Sequence, residues 1–317
     1  MPRPSPQSLV LGLLSLGLSF SVLSDSPQSH AYSYDSTTNP SNRPNPQYIA
    51  QRCGLLSRLT GRCRKLHPPR GDYNPNIPYL ITPVHTKVRQ GQRPIVRWNS
   101  VNHDVPYQLQ VIELGVSMEP LTLEENDWQY AAELPLEPGT RYRIRIRQQG
   151  TDCFDSGLFS DECEGDFTVL NDAEMAAFEA DWNRLSSQER NEAIAVARLY
   201  QNHELYADAI QHLEQEILTG AAQREDYYFL GELYAEVGLY HTALTQYREA
   251  QNFLAAQSNR DMQARLNVSM GLAYWQLGEF NEALAAFEAA QNNAEVFSVR
   301  EQEELTQKIQ AVHDRLD

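Results

Sequence analysis

The residue types that could carry chemistry in this chain are its eight histidines, its four cysteines and its 42 acidic residues. No histidine lies in an HExxH motif, and no two histidines are four positions apart, the spacing that places two metal ligands on one helix face. The sequence also lacks a G-x-S-x-G nucleophile elbow, a phosphate-binding loop and a dinucleotide-binding fingerprint. We therefore expect a protein that is not an enzyme and that uses no metal and no cofactor.

The cysteines form two pairs of equal spacing, Cys53 with Cys63 and Cys153 with Cys163. Four cysteines allow three pairings, and the pairing of near neighbours would close two short loops. Each such loop would stabilise the fold by about 2–3 kcal/mol on the chain-entropy model. A zinc site is the alternative, but the sequence has no CxxC pair. We predict disulfides and favour the local pairing among the three.

An apolar run near the amino terminus predicts export. Leu9–Leu23 is 15 residues long, whereas a helix that spans a bilayer needs about 20. Arg3 precedes the run, and Ser29-His30-Ala31 follows it with the small-x-small pattern of a cleavage site. We predict a signal peptide over residues 1–31 and a mature chain that is periplasmic or secreted, with no membrane span. An uncleaved membrane anchor is the alternative.

Two segments lie between the predicted signal peptide and the predicted folded part. Residues 32–51 are rich in Asn, Pro and Ser and are expected to form a disordered leader. Residues 52–78 hold the first cysteine pair and six basic residues: Arg52, Arg58, Arg62, Arg64, Lys65 and Arg70. This basic segment either docks on an anionic surface, such as the cell envelope, or is a solvated connection, and we favour the second interpretation.

The charged residues are distributed unevenly on the two sides of Leu170. The whole chain has a net charge of −16. From Asn171 to the end there are 25 acidic and 10 basic residues, a net charge of −15. An acidic chain repels phosphate groups, so we expect no nucleic-acid partner.

Residues 79–170 alternate apolar and polar side chains with a period of two, as strands with one buried face do. The alternation is clearest in three runs: Ile95–Trp98, Tyr107–Val111 and Tyr142–Ile146. Leu136–Ile146 resembles the tyrosine-corner segment of fibronectin type III domains, and Trp98 and Tyr107 match that family's core tryptophan and tyrosine. The resemblance implies an antiparallel β-sandwich.

Residues 171–317 change to the helical period, and one pattern of small, aromatic, aromatic and alanine positions occurs in them three times. The copies are Ala197–Ala209, Gly231–Ala243 and Gly271–Ala283, with steps of 34 and 40 residues. This pattern resembles the tetratricopeptide repeat (TPR), whose period is about 34. The resemblance implies an α-solenoid of three helical hairpins, and an amphipathic helix after Ser298 is expected to cap it. The predicted fold class is therefore multidomain, all-β followed by all-α.

In the TPR family, the first helix of each repeat lines a concave face that holds partner peptides. The corresponding positions here are Arg198, Gln201 and Asn202; Tyr228, Glu232 and Glu236; and Arg265, Leu272, Trp275 and Gln276. The resemblance thus implies a protein or peptide partner. Two carboxylates and a tryptophan on this face suit a basic or amphipathic segment. For Trp275 the alternative is that it packs against the capping helix.

We predict an exported, non-enzymatic scaffold for protein–protein interaction. Under this hypothesis, substitutions at Glu232 or Trp275 abolish partner binding without lowering thermal stability. The alternative function is cell-envelope adhesion or glycan binding by the β-domain through loops 99–106 and 154–159, with the repeats serving oligomerisation.

Overall fold

The structure is a computed structural model that describes residues 67, 77–99, 101, 105–113, 116–117, 121–123, 127–129, 136–151, 163–220, 222–254 and 259–316. All of these residues belong to one compact unit. The predicted signal peptide and leader lie outside the described residues, as do nearly all of the basic segment and Cys53, Cys63 and Cys153. The predicted domain boundaries and the export therefore stay predictions.

The described part of the β-region contains nine strands in two sheets. In chain order they are β1 Leu80–Thr82, β2 Thr86–Val88, β3 Ile95–Trp98, β4 Tyr107–Glu113, β5 Val116–Ser117, β6 Leu121–Leu123, β7 Asp127–Gln129, β8 Arg141–Gln148 and β9 Glu164–Val169. One sheet has the order β1-β3-β7, and the other has the order β2-β9-β8-β4-β5 with β6 beside β4. The predicted alternation is visible in β8, where every second side chain is buried.

The two sheets contribute to a single hydrophobic cluster. Trp98 of the first sheet belongs to it together with Leu109 and Phe167 of the second. The hydroxyl of Tyr142 accepts a hydrogen bond from the backbone N–H of Glu137 at 2.9 Å, which ties β8 to the chain that leads into it. A tyrosine corner makes a hydrogen bond of this kind, while the resemblance of the β-region to fibronectin type III domains stays a prediction.

One strand pairing differs from the predicted antiparallel arrangement. Strand β2 pairs with β9 in parallel, with Thr86 opposite Phe167 and Val88 opposite Val169. Strand β1 pairs antiparallel with β3 in the other sheet. The chain thus changes sheets within residues 83–85. Alternation of side chains marks a strand but carries no information on its neighbour, so the sequence could not indicate this parallel pair.

Asp166 on β9 lies between the imidazole of His85 and the guanidinium of Arg141. His85 Nδ1 lies 3.4 Å from Asp166 Oδ1, and the Arg141 guanidinium lies 2.7 Å from Asp166 Oδ2. Burial alone would raise the pKa of this carboxyl, but the hydrogen bonds and charges of His85 and Arg141 outweigh burial and lower the pKa to about 2. A carboxyl with a lowered native pKa stabilises the fold above its unfolded pKa of 3.8 and loses that contribution as the pH falls towards 2.

Replacing this carboxyl should change the acid sensitivity of the protein. We expect Asp166→Asn to lower the free energy of unfolding at neutral pH by about 1–2 kcal/mol, a figure reduced because Arg141 is largely exposed. The variant should then lose less further stability than the wild type between about pH 4 and pH 2. Urea denaturation at pH 7, 4 and 2.5 measures both effects, and identical pH profiles would contradict this role of Asp166.

Eight helices follow the β-region in the described chain. They are α1 Asp172–Arg184, α2 Ala193–Asn202, α3 Tyr206–Leu218, α4 Arg224–Glu236, α5 Tyr240–Leu254, α6 Arg260–Leu277, α7 Phe280–Gln291 and α8 Val299–Leu316. Helices pack in the pairs α2–α3, α4–α5 and α6–α7, and α8 packs on α7. The predicted TPR-like helical repeat region and its terminal helix are confirmed.

Glycine allows very close packing within the second and third repeats. A Cβ atom at Gly231 would lie 2.5 Å from the Tyr247 ring, and a Cβ atom at Gly271 would lie 2.6 Å from the Phe287 ring. Real Cβ contacts are longer than this, so each aromatic ring occupies space that only glycine leaves open. The two hairpins therefore depend on glycine for close approach and not for an unusual backbone conformation.

The β-region and the helical region are joined through β2, β3 and the ends of helices. The backbone N–H of Lys87 and the hydroxyl of Thr86 both donate to the carbonyl oxygen of Glu204, between α2 and α3. Four ion pairs cross the same boundary: Lys87–Glu174 at 2.6 Å, Lys87–Glu204 at 3.5 Å, Arg89–Asp208 at 2.7 Å and Arg97–Glu214 at 2.8 Å. These polar contacts join the two regions within one compact unit, and Tyr79 and Ile81 add apolar packing against the helical core.

Candidate functional site

A small cleft lies where α4, α5 and α6 meet, and we call it the α4–α6 cleft. It is lined by Glu232, Ala235, Glu236, Tyr240, Tyr247, Ser269, Leu272 and Ala273. Its volume is about 30 Å³, whereas pockets for small molecules have roughly 300 Å³ or more. The α4–α6 cleft therefore suits a single side-chain group of a larger ligand and does not suit a small-molecule cofactor.

A buried carboxylate forms one wall of this cleft. Glu232 is 5% exposed, and its Oε1 accepts a hydrogen bond from the hydroxyl of Tyr247 at 2.7 Å. The Tyr228 ring centroid lies 5.9 Å from that of Tyr247, and the Tyr228 hydroxyl is 3.2 Å from Ser269 Oγ. A buried charge is tolerated only when it is hydrogen-bonded or paired, so the Tyr247 hydroxyl is part of what holds Glu232 in place.

A second carboxylate lies at the rim of the cleft. Glu236 is the last residue of α4, where the partial negative charge of the helix terminus adds to that of the carboxylate. Burial, and then the nearby Glu236 carboxylate, raise the pKa of Tyr240, the first residue of α5. The α4–α6 cleft therefore has a negative potential that favours a cationic group.

The structure brings together only some of the residues predicted to bind a partner. Glu232, Glu236 and Leu272 line the α4–α6 cleft, and Tyr228 lies beside it through Tyr247 and Ser269. Glu232 and Leu272 are only 5% and 7% exposed. A substitution at Glu232 should therefore lower stability, in contrast to the expectation that it would leave thermal stability unchanged.

The predicted residues on α2 do not line the cleft. Arg198 is exposed and its guanidinium lies 4.9 Å from the centre of the Phe229 ring. Gln201 is half-buried and Asn202, the last residue of α2, is exposed. Their predicted contact with a partner stays a prediction.

The predicted residues of the third repeat take part in local contacts. Arg265 donates to Asp261 at 3.0 Å on the same helix. Burial would lower the pKa of Arg265, but this hydrogen bond and the charge of Asp261 outweigh burial and raise it. Trp275 lies under Lys308 of α8, whose Nζ is 4.3 Å from the ring centre. Trp275 therefore packs against the terminal helix, which is the alternative given for it in the sequence analysis. Gln276, the next residue, is half-buried.

The structure describes only some of the residues on which the disulfide and glycan-binding predictions depend. Cys163 is buried and disulfide-bonded, but the other cysteines lie outside the described residues, so the pairing stays a prediction. Most of loops 99–106 and 154–159 also lies outside them. Among the residues that the structure describes, no group of three or more His, Cys, Asp or Glu side chains could hold a metal ion. No helix in the described ranges is long and apolar enough to cross a membrane.

Comparison with known proteins does not identify this chain. No protein-family model matches the chain, and no curated protein matches it. Among solved structures, the chain is similar to one described as the crystal structure of PcrH in complex with the chaperone binding region of PopD. The match has 19% sequence identity and a TM-score of 0.36, and it covers 42% of this chain and 98% of the matched chain. A likeness of this size carries no functional argument. The TPR-like class of the helical region rests on its paired helices and on the glycine–aromatic contacts within them.

Proposed function

We propose that this chain is a protein-binding scaffold that holds a basic, amphipathic segment at the α4–α6 cleft. The supporting observation is the pair of carboxylates from α4, Glu232 and Glu236, that lies beside the apolar side chain of Leu272. Cationic heads on aliphatic stems, such as lysine side chains, satisfy both parts of such a surface. Helix-in-groove recognition uses the same combination of apolar anchors and flanking charge.

The charge of the whole helical region supports the same class of partner. Many of its few basic side chains pair with acids close by, as Arg265 does with Asp261 and Arg300 with Glu304. The net charge of −15 from residue 171 onwards already counts these basic side chains, so the region as a whole is strongly negative. Such a field speeds the approach of basic segments and makes their binding depend on ionic strength.

A direct test measures the binding of a synthetic amphipathic peptide with lysines along one helix face. Competition from basic residues of the chain itself has to be removed from this measurement. The test therefore uses the full-length variant Arg58→Gln, Arg62→Gln, Arg64→Gln, Lys65→Gln, which we call the neutralised chain. We expect Glu236→Gln in the neutralised chain to weaken binding about 5- to 10-fold at low salt, as loss of one partly desolvated charge contact would do. Fluorescence anisotropy measures the dissociation constant.

A matched control is Glu249→Gln on α5, which is an exposed side chain outside the cleft lining. It makes the same chemical change and should leave the dissociation constant unchanged. Thermal melting should be the same for both variants. Equal weakening by both variants would point to general electrostatics, and no weakening by Glu236→Gln would remove the cleft from the proposal.

A further inference from the structure

The chain upstream of the β-region is fixed beside the cleft at one described residue, His67. Its carbonyl oxygen accepts a hydrogen bond from the Tyr240 hydroxyl at 2.8 Å. Its ring stacks on that of His85, with centroids 3.6 Å apart and planes inclined by 2°. Tyr240 itself lines the α4–α6 cleft. The two contacts therefore hold His67 between the β-region and the cleft.

The residues that precede His67 have the chemistry that the cleft favours. Residues 52–66 contain no acidic residue and five basic ones: Arg52, Arg58, Arg62, Arg64 and Lys65. Four leucines are interspersed among them. The segment is thus both cationic and apolar, as the proposed ligand of Glu232, Glu236 and Leu272 must be.

The tether is short enough for this segment to reach the cleft. Lys65 and Arg64 are two and three residues from His67, and each residue of extended chain spans at most about 3.6 Å. Their backbone therefore lies within roughly 11 Å of the His67 backbone. A segment held so close has an effective concentration on the order of 1 mM at its site.

We infer that residues 52–66 of this chain are the intramolecular occupant of the α4–α6 cleft. An external basic partner must then compete with them for Glu232 and Glu236. The inference rests on the proposed function, because it requires that the cleft binds basic segments at all. It also identifies the anionic surface on which the basic segment docks as a surface of the same chain.

The test compares the wild type and the neutralised chain, both full length, as receptors for one fluorescent probe. The probe is a synthetic peptide of residues 52–66 with Cys53→Ser and Cys63→Ser. For a dissociation constant of about 10 µM and an effective concentration of about 1 mM, the wild type should bind the probe about 100-fold more weakly than the neutralised chain. Glu236→Gln in the neutralised chain should weaken binding of this probe, and Glu249→Gln should not.

The outcomes separate the inference from the proposed function. Equal affinity of both chains for the probe overturns the inference and leaves the proposed function standing. The inference is also overturned if the neutralised chain binds the lysine-rich amphipathic peptide but not residues 52–66. If the neutralised chain binds neither peptide, the proposed function fails and the inference fails with it.

Two controls keep the comparison interpretable. Weaker binding by the wild type must not depend on chain concentration between 1 and 100 µM, because a dependence would assign the segment to the cleft of a second copy and overturn the intramolecular occupancy. Circular dichroism melting must match for the two chains. If the neutralised chain is less stable, the smaller variant Arg64→Gln, Lys65→Gln replaces it, and the wild type should still be the weaker receptor.

Discussion

Gly231→Ala is expected to lower the free energy of unfolding by about 1–3 kcal/mol, although alanine is the better helix former. The added Cβ would lie 2.5 Å from the Tyr247 ring and 3.2 Å from the carbonyl oxygen of Ala243. Tyr247 is only 1% exposed, so its ring cannot move aside without disturbing the packing of α4 on α5. Helix propensity alone would stabilise the variant by about 1 kcal/mol. The sign of the change in the free energy of unfolding therefore shows whether the steric clash or the helix propensity dominates.

Urea denaturation followed by circular dichroism measures this change, and the first repeat supplies the control. Ala197 and Leu213 occupy there the positions of Gly231 and Tyr247. The double variant Gly231→Ala, Tyr247→Leu copies that pair. Because Tyr247→Leu also removes the hydroxyl that donates to Glu232, the comparison is a double-mutant cycle: Tyr247→Leu should lower the free energy of unfolding less in Gly231→Ala than in the wild type, as coupled neighbours do. A Gly231→Ala variant that is more stable than the wild type would contradict the close packing.

The repeat pattern predicted the helical region because it records local contacts. The small and aromatic positions that recur at steps of 34 and 40 residues are the positions at which α4 meets α5 and α6 meets α7. The longer second step could be read from the sequence, but its place could not. The structure shows that α6 accounts for part of the extra length, since α6 has 18 residues and α4 has 13.

The burial of Glu232 has a signature in the sequence when the three repeats are aligned. The equivalent pairs in the three repeats are Arg198 with Leu213, Glu232 with Tyr247, and Leu272 with Phe287. The carboxylate occurs where the partner aromatic residue has a hydroxyl, and leucine occurs where it does not. Comparison of repeats would have indicated a Glu–Tyr hydrogen bond. The family pattern alone places Glu232 on the concave face and does not indicate that it is buried.

Long-range contacts could not be predicted from the sequence, and the reason is physical. Alternation and helical periodicity describe which face of an element is buried but not which element covers it. The parallel pair of β2 and β9, the position of His67 against Tyr240, and the ion pairs between the two regions all join residues far apart in the chain. The cleft is predicted only in part for the same reason, since the sequence identifies its residues on α4 and α6 but not Tyr240 and Tyr247 of α5.

The largest effect at the interface of the two regions is expected at Glu214 of α3. Its Oε2 lies 2.8 Å from the Arg97 guanidinium of β3, and its other oxygen accepts a hydrogen bond from the hydroxyl of Tyr234 of α4. Burial would lower the pKa of Arg97, but the charge of Glu214 outweighs burial and raises it. Burial, and then the charge of Glu214, raise the pKa of Tyr234. One carboxylate thus joins three elements from both regions.

We expect Glu214→Gln to lower the free energy of unfolding by about 1–3 kcal/mol, because the half-buried Arg97 loses its charged partner while the shape is kept. The loss should fall on the interface, so backbone amides of the β-region should exchange hydrogen faster while those of α6 and α7 keep their protection. Hydrogen exchange measured by mass spectrometry resolves the two sets of amides. Asp261→Asn, which breaks the exposed ion pair with Arg265 within α6, should cost about 0.5 kcal/mol or less and leave the β-region unchanged. If Glu214→Gln has the same effect as Asp261→Asn, the interface does not depend on Glu214. If Glu214→Gln speeds hydrogen exchange equally in all helices, the two regions unfold as one cooperative unit.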